Sequence, residues 1–313
     1  MKCQPFSLVY VFATAGLCAT FLWHGASITG AAKPGFETAK IESITGLKGA
    51  LNEKEDTFKI SKPRNDVPIS VDQAPMAPFI GLPSWATFMP GGKTGAMVMG
   101  DMVLFEDEVN PVMSAALEMG LAVTALHNHF FFDKPKVYFM HIGGEGAIES
   151  LAEGVRAILD KEKEIRTANP QPADSFGIGP LPAKSSIDGE AISKVFGLGG
   201  DAKGGMYKVT VGREVEMDGH KMGNSMGVNT WAGFAGTPDD AVVVGDFAVL
   251  ENELQTVLRT FRAANVNIVA IHQHMTGENP RMMFLHYYGR GKALTLAQAV
   301  KSAINTQTLA ANN

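Results

Sequence analysis

The sequence predicts an α+β protein made of two tandem copies of one unit, each a mainly antiparallel sheet with helices on one face. Three observations lead there. Residues 100–158 align with 245–303 at a constant offset of 145 and without a gap. Within each copy, runs rich in β-branched residues give way to apolar residues at helical spacing, in the order β-β-α-β-β-α with extra strands in front. The same three histidines recur in both copies of a chain that holds only 8.

The repeat is legible residue by residue. Gly100-Asp101, Glu106, Glu108, Ala125, His127, His129, Pro135, Phe139, His141 and Gly144 return as Gly245-Asp246, Glu251, Glu253, Ala270, His272, His274, Pro280, Phe284, His286 and Gly289. Upstream, with one residue of slippage, Asp72, Met76, Gly81, Trp85-Ala86 and Phe88 match Asp218, Met222, Gly227, Trp231-Ala232 and Phe234. The expected organisation is a signal peptide over 1–31, a first repeat over 36–166, a linker over 167–186 and a second repeat over 187–313. The linker is set by four prolines and little periodicity.

The elements of one unit follow in chain order. Phe58-Lys59-Ile60 and Tyr207 to Val211 are short strands by β-branched and aromatic content. Ala241 to Leu250 is an apolar strand expected to be buried on both faces. Glu251 to Ala264 places Leu254, Val257, Leu258 and Phe261 at helical spacing, with acidic residues in the first turn to suit the helix dipole. Asn267 to His274 and Arg281 to Tyr287 are strands. Ala293 to Ile304 closes the unit as a helix with Leu294, Ala297, Val300 and Ile304 on one stripe. Trp85 and Trp231 are expected in the core, and His220, whose counterpart is Ala74, on the surface.

Composition limits the function. With 45% hydrophobic and 19% charged residues the chain is neither disordered nor a coiled coil. A net charge of −5 and the lack of any basic stripe argue against nucleic acid. The single cation Lys2, the apolar stretch from Phe6 to Trp23 and the small residues after it resemble a secretory signal, with cleavage between about residues 26 and 32. The protein is therefore expected in the periplasm or outside the cell, and a membrane is expected to matter only through this segment, as a signal or an uncleaved anchor. Cys3 and Cys18 both lie in it, so a cleaved product has neither a disulfide nor a catalytic thiol. Leu17, just before Cys18, is too bulky for a lipid-attachment site.

The chemistry rests on the histidines. In His-x-His on a strand the two imidazoles project from one face. A hairpin turning near Asp133 to Lys136 brings the third histidine opposite or diagonal to the first, with Cβ atoms roughly 5–8 Å apart. His127, His129 and His141, and likewise His272, His274 and His286, can then hold one metal ion with positions left open for water or a ligand. The alternative is a structural role in hydrogen bonding at the strand ends. Imidazole suits several transition metals; zinc comes first, and Met140, Met275, Met282 and Met283 bring copper second. Glu106 and Glu108, matched by Glu251 and Glu253, are the repeated carboxylates that can supply a fourth ligand or a general base, Glu108 foremost, or that simply cap the next helix. Arg64 and Arg213 recur after equivalent strands and can hold an anionic ligand or form a structural ion pair.

The segments Gly100 to Val112, Val123 to His129 and Pro135 to His141 resemble the LppY/LpqO family of exported bacterial proteins, often lipoproteins, which carry this duplicated unit and have no settled biochemical function. The resemblance covers almost the whole mature chain, with His127-Asn128-His129 and its trailing histidine as its most specific part. It implies an exported two-repeat protein. His272-Gln273-His274 departs from the pattern, which favours the first copy as the working site.

Three functions are compatible with these residues. The first is an exported protein that binds a transition metal and, through it, binds or senses a small-molecule ligand. The second is a metal-dependent enzyme, hydrolase or oxygenase, that activates water or dioxygen. The third is a structural or partner-binding envelope protein without metal.

Overall fold

A computed structural model describes residues 37–91, 93 and 95–307. The expected signal peptide, with both cysteines, lies outside them. In the first copy the chain forms α1 (Thr38–Thr45), β1 (Gly49–Asn52), β2 (Thr57–Pro63), β3 (Ser70–Val71), β4 (Ala74–Pro75), β5 (Pro83–Pro90), β6 (Ala96–Phe105), α2 (Glu106–Glu118), β7 (Ala122–His127), β8 (Asp133–Lys134), β9 (Val137–Gly146) and α3 (Ile148–Ala168). The second copy repeats the plan with α4 (Gly189–Phe196), β10 (Asp201–Lys203), β11 (Met206–Gly212), β12 (Val215–Met217), β13 (His220–Met222), β14 (Asn229–Gly236), β15 (Ala241–Leu250), α5 (Leu254–Ala263), β16 (Asn267–His272), β17 (Met282–Gly291) and α6 (Ala293–Asn305). The expected α+β class holds, and each copy contains the β-β-α-β-β-α core as β5-β6-α2-β7-β9-α3 or its equivalent.

The copies do not stand apart. One antiparallel sheet of 12 strands runs through both, in the order β1-β2-β5-β6-β9-β7-β16-β17-β15-β14-β11-β10. The order reads the same from either end once equivalent strands are exchanged. At its centre β7 meets β16 through Leu126 and Ile271, which are themselves equivalent positions. Each of these strands bulges where it leaves the seam, between Val123 and Ala125 and between Ile268 and Ala270. The backbone groups freed there are satisfied by the other copy. Asn110 on α2 exchanges two hydrogen bonds with Ile268, at 2.8 and 3.1 Å. Gln255 on α5, its counterpart, does the same for Val123 at 2.9 Å each way. A buried amide without a partner is costly, so these side chains stitch the repeats reciprocally.

Alternation along the strands separates two layers. Met102, Leu104, Met140 and Ile142 join Val112 of α2 and Leu151 of α3 in a core that continues through Val243, Phe247, Leu258 and Val300 of the second copy. On the other face Val103, Phe105, Val137 and Phe139 make a smaller cluster with Val67, Ile69 and Leu82, and Ala248, Met282 and Phe284 make one with Val215 and Val228. The helices therefore cover one face, and loops only partly cover the other. From Gly245 to Val249, strand β15 is buried on both faces, as expected, whereas Val244 before it is exposed.

Four expectations need adjustment. Strand β16 stops at His272, so His274 lies beyond it, and β17 runs on to Gly291. Helix α5 begins at Leu254, because Glu251 to Glu253 form a turn. Trp85 and Trp231 are half-buried on the open face instead of in the core, each beneath a lysine, with Lys59 Nζ 4.4 Å and Lys208 Nζ 4.5 Å from the ring centres. Their strands keep no helix on that side, so the indoles are shielded by aliphatic stems and cation–π contacts. His220 is exposed, as expected.

Candidate metal centre

Both histidine triads sit on the open face, at the end of the inner strand of each copy. In the first, β7 delivers His127 at its last residue, His129 follows two positions on, and β9 carries His141 opposite Ala125. His141 is thus diagonal to His127, whose own partner is Phe139. The rings of His127 stand 5.2 Å from His129 and 5.1 Å from His141. His129 lies flat on Phe139, with 3.3 Å between centroids and 6° between planes. The second triad repeats this: His272 is 5.1 Å from His274 and 4.7 Å from His286, and His274 stacks on Phe284 at 3.5 Å. The stacked phenylalanine fixes where the histidine beyond the strand end can point. Burial lowers the pKa of His129 and of His272, which favours the neutral imidazole that ligates metals.

The carboxylates at the triads are aspartates that the sequence reading did not select. Asp101 pairs with His141 across β6 and β9, and Asp246 pairs with His286 across β15 and β17. Asp246 Oδ2 is 3.1 Å from His274 Nε2, and Oδ1 is 4.0 Å from His286 Nδ1. Ligand atoms of Asp246, His272 and His274 all lie within 4.8 Å of one another, so this group could hold a metal ion. Asp246 Oδ1 and His272 Nδ1 are buried and accept or donate no hydrogen bond, as is Asp101 Oδ1 in the first copy. A buried polar atom without a hydrogen bond calls for an explanation, and a cation bound by these residues would supply one. Among the described residues no ion pair joins Asp101 to a histidine, so the tighter grouping is in the second copy, whereas the motif pattern favoured the first. The overlooked signal was a lone acid in an otherwise apolar strand, repeated in Ala96 to Phe105 and Ala241 to Leu250.

The glycine before each aspartate has a steric cause. A Cβ on Gly245 would collide with the Trp231 carbonyl oxygen and the Tyr287 hydroxyl, and one on Gly100 would lie 2.7 Å from the Trp85 carbonyl oxygen. Tyr287 is fully buried and donates to Trp231 O at 2.9 Å; burial pushes its hydroxyl far above the usual tyrosine range, and the charge of Asp246 adds to this. Gly245→Ala is expected to cost about 2–3 kcal/mol by overpacking. Thermal unfolding of that variant, showing a loss of this order, is the check.

The residues proposed for base and anion chemistry lie in another structure. Glu108 is fully buried, with Oε1 2.5 Å from Arg64 Nη2 and 2.8 Å from Arg166 Nε, while Oε2 accepts the Phe105 N–H at 2.9 Å. Both carboxylate oxygens are engaged in the interior, so Glu108 is a cap and an ion-pair hub, not a catalytic base at either triad. Arg64 is withdrawn as an anion ligand: its guanidinium also donates to Val103 O at 2.9 Å and Asp66 at 3.0 Å. In the second copy Arg213 pairs with Glu253 at 2.7 Å, Glu253 accepts the Leu250 N–H at 3.0 Å, and Gln307, the counterpart of Glu162, donates to Glu253 at 3.3 Å. The structural ion pair, the alternative considered from sequence, is the arrangement found for both arginines.

No curated protein and no solved structure matches this chain. The profile described as Domain of Unknown Function (DUF1259) matches twice, over residues 39–161 and 190–306, one match in each copy. The duplication read from the histidines and the two halves of the sheet therefore coincide with two family matches, and the chain belongs to the DUF1259 domain family.

Proposed function

We propose that this is an exported protein that binds a transition metal, zinc first and copper second, through His272, His274 and Asp246, with His286 at the margin, and that it binds or senses a small ligand at the open position. The observation that carries the reading is the grouping of ligand atoms of Asp246, His272 and His274 within 4.8 Å of one another, with a buried atom lacking a hydrogen bond on both Asp246 and His272. Two ligands about 2.1 Å from a tetrahedral zinc stand roughly 3.4 Å apart, so small rotamer changes close the group around an ion. His127, His129, His141 and Asp101 offer the same donor set in a looser arrangement. Export is supported by the apolar Phe6 to Trp23 stretch with small residues behind it, and the His127-Asn128-His129 pattern supports kinship with LppY/LpqO proteins.

Elemental analysis by mass spectrometry of untagged protein from its native compartment tests this. Stoichiometric metal is expected, lost in a His272→Ala, His274→Ala variant. A His127→Ala, His129→Ala, His141→Ala variant reports whether the first copy contributes. Metal-free protein that takes up neither zinc nor copper, or metal unaffected by both variants, would leave the structural role of the histidines as the account.

A further inference from the structure

Where β7 and β16 part, a cleft of about 260 Å³ opens, and neither histidine triad lines it. Its walls carry Glu106 at the start of α2, Tyr138 on β9, Tyr288 on β17 and Phe176 from the segment between the repeats. Phe176 stacks on Tyr288 with centroids 5.5 Å apart and planes 5° apart. That segment is tied on both sides of Phe176: Ala173 N–H donates to Asp107 at 3.2 Å, Arg166 pairs with Asp107, and Arg290 donates to the carbonyls of Gly179 and Pro180. Phe176 is nonetheless 64% exposed, an odd position for a large ring unless something is to lie against it.

Glu106 is the only charged residue in the lining, and among the described residues no cation pairs with it. Lys136, the nearest positive influence, is bound to Asp133 at 3.0 Å. Although Glu106 is exposed overall, partial desolvation raises its carboxyl, and burial together with its charge raises Tyr138 as well. The comparison within the chain is informative. The equivalent positions in the other copy keep the acid as Glu251 but place Met283 for Tyr138 and Gly143 for Tyr288, with no counterpart of Phe176. Aromatic residues thus line the cleft at only one of two equivalent carboxylates.

We propose that this cleft binds a small organic cation of the alkylammonium class, held against Tyr138 and the stacked Tyr288–Phe176 pair with its charge toward Glu106. The quadrupole of each ring attracts a desolvated cation, and a weakly hydrated ammonium gains most from such a cage. At about 260 Å³ the cleft lies just below the usual range of drug-sized pockets, which suits a head group of a few carbons.

Isothermal calorimetry on the full chain with choline and tetramethylammonium, beside the neutral isostere 3,3-dimethylbutan-1-ol, tests the site. The cations are expected to bind and the alcohol at least tenfold more weakly. Glu106→Gln and Tyr288→Ala should each weaken the cations tenfold or more. Phe176→Ala, outside the sheet and exposed, should weaken them several-fold, and it keeps the test valid if the Tyr288 variant does not fold. Equal binding of the alcohol, cation affinity indifferent to Glu106→Gln and Phe176→Ala, or no heat with either cation up to millimolar concentration would overturn the proposal.

Discussion

Glu108→Ala is expected to destabilise the protein by about 3–5 kcal/mol, a large share of a typical domain's total. The carboxylate is the shared anion of two arginines that are themselves almost wholly buried, with Arg64 at 3% and Arg166 at 9% exposure. Removing it leaves Arg64 with only Asp66 and the more distant Glu162, leaves Arg166 with only Asp107, and strips the Phe105 N–H of its acceptor at the start of α2. Under-compensated buried charge and a lost cap then act together. Urea denaturation of the variant measures the loss. Glu253→Ala should cost less, because Arg213 and Glu253 are more exposed than Arg64 and Glu108, and Gln307, which also donates to the carboxylate, is neutral. Equal losses, or a Glu108 variant within 1 kcal/mol of the parent, would show that the charges are solvated in a way the buried geometry does not suggest.

Residues 36–166 and 187–313, produced separately, are expected to lack a cooperative unfolding transition. Cutting the chain exposes the inner edges of β7 and β16, an open invitation to aggregation. It also orphans the amides that Asn110 and Gln255 exchange with the opposite copy, breaks the Arg262 to Ser114 bond of 3.1 Å and opens the apolar core that continues through both copies. Near-ultraviolet circular dichroism during a thermal ramp is the measurement. A sharp transition in either fragment alone would mean that each repeat closes its own core.

Much of this arrangement was legible in the residues. The constant offset marked the duplication, β-branched runs marked β11 and β15, and helical spacing marked α5 and α6, because local periodicity reports burial on one side. His-x-His with a trailing histidine gave the triads, since a two-residue step and a hairpin are enough to place three rings together. What was missed depends on contacts across strands. Asp101 and Asp246 sit among apolar neighbours, and only the pairing of β6 with β9 and of β15 with β17 shows that they face histidines. Glu108 resembled a base because repeated acids near a site attract that reading, yet its partners come from 44 residues upstream in Arg64 and from the far end of α3 in Arg166. The tryptophans were misplaced for a related reason: which face of a sheet the helices cover is a tertiary fact.

The seam between Leu126 and Ile271 has one more consequence. A position that pairs with its own equivalent lies on a two-fold axis, and the reciprocal bonds of Asn110 and Gln255 obey the same symmetry. The contact is therefore isologous, the kind a single unit makes with an identical mate. Covalent fusion of such a pair frees each half from having to match itself. An Asn can then answer a Gln across the axis, a carboxylate can close on histidines on one side and stay apart on the other, and aromatic rings can collect around one acid of two. In an unfused homodimer every such change would appear twice; here each was made once.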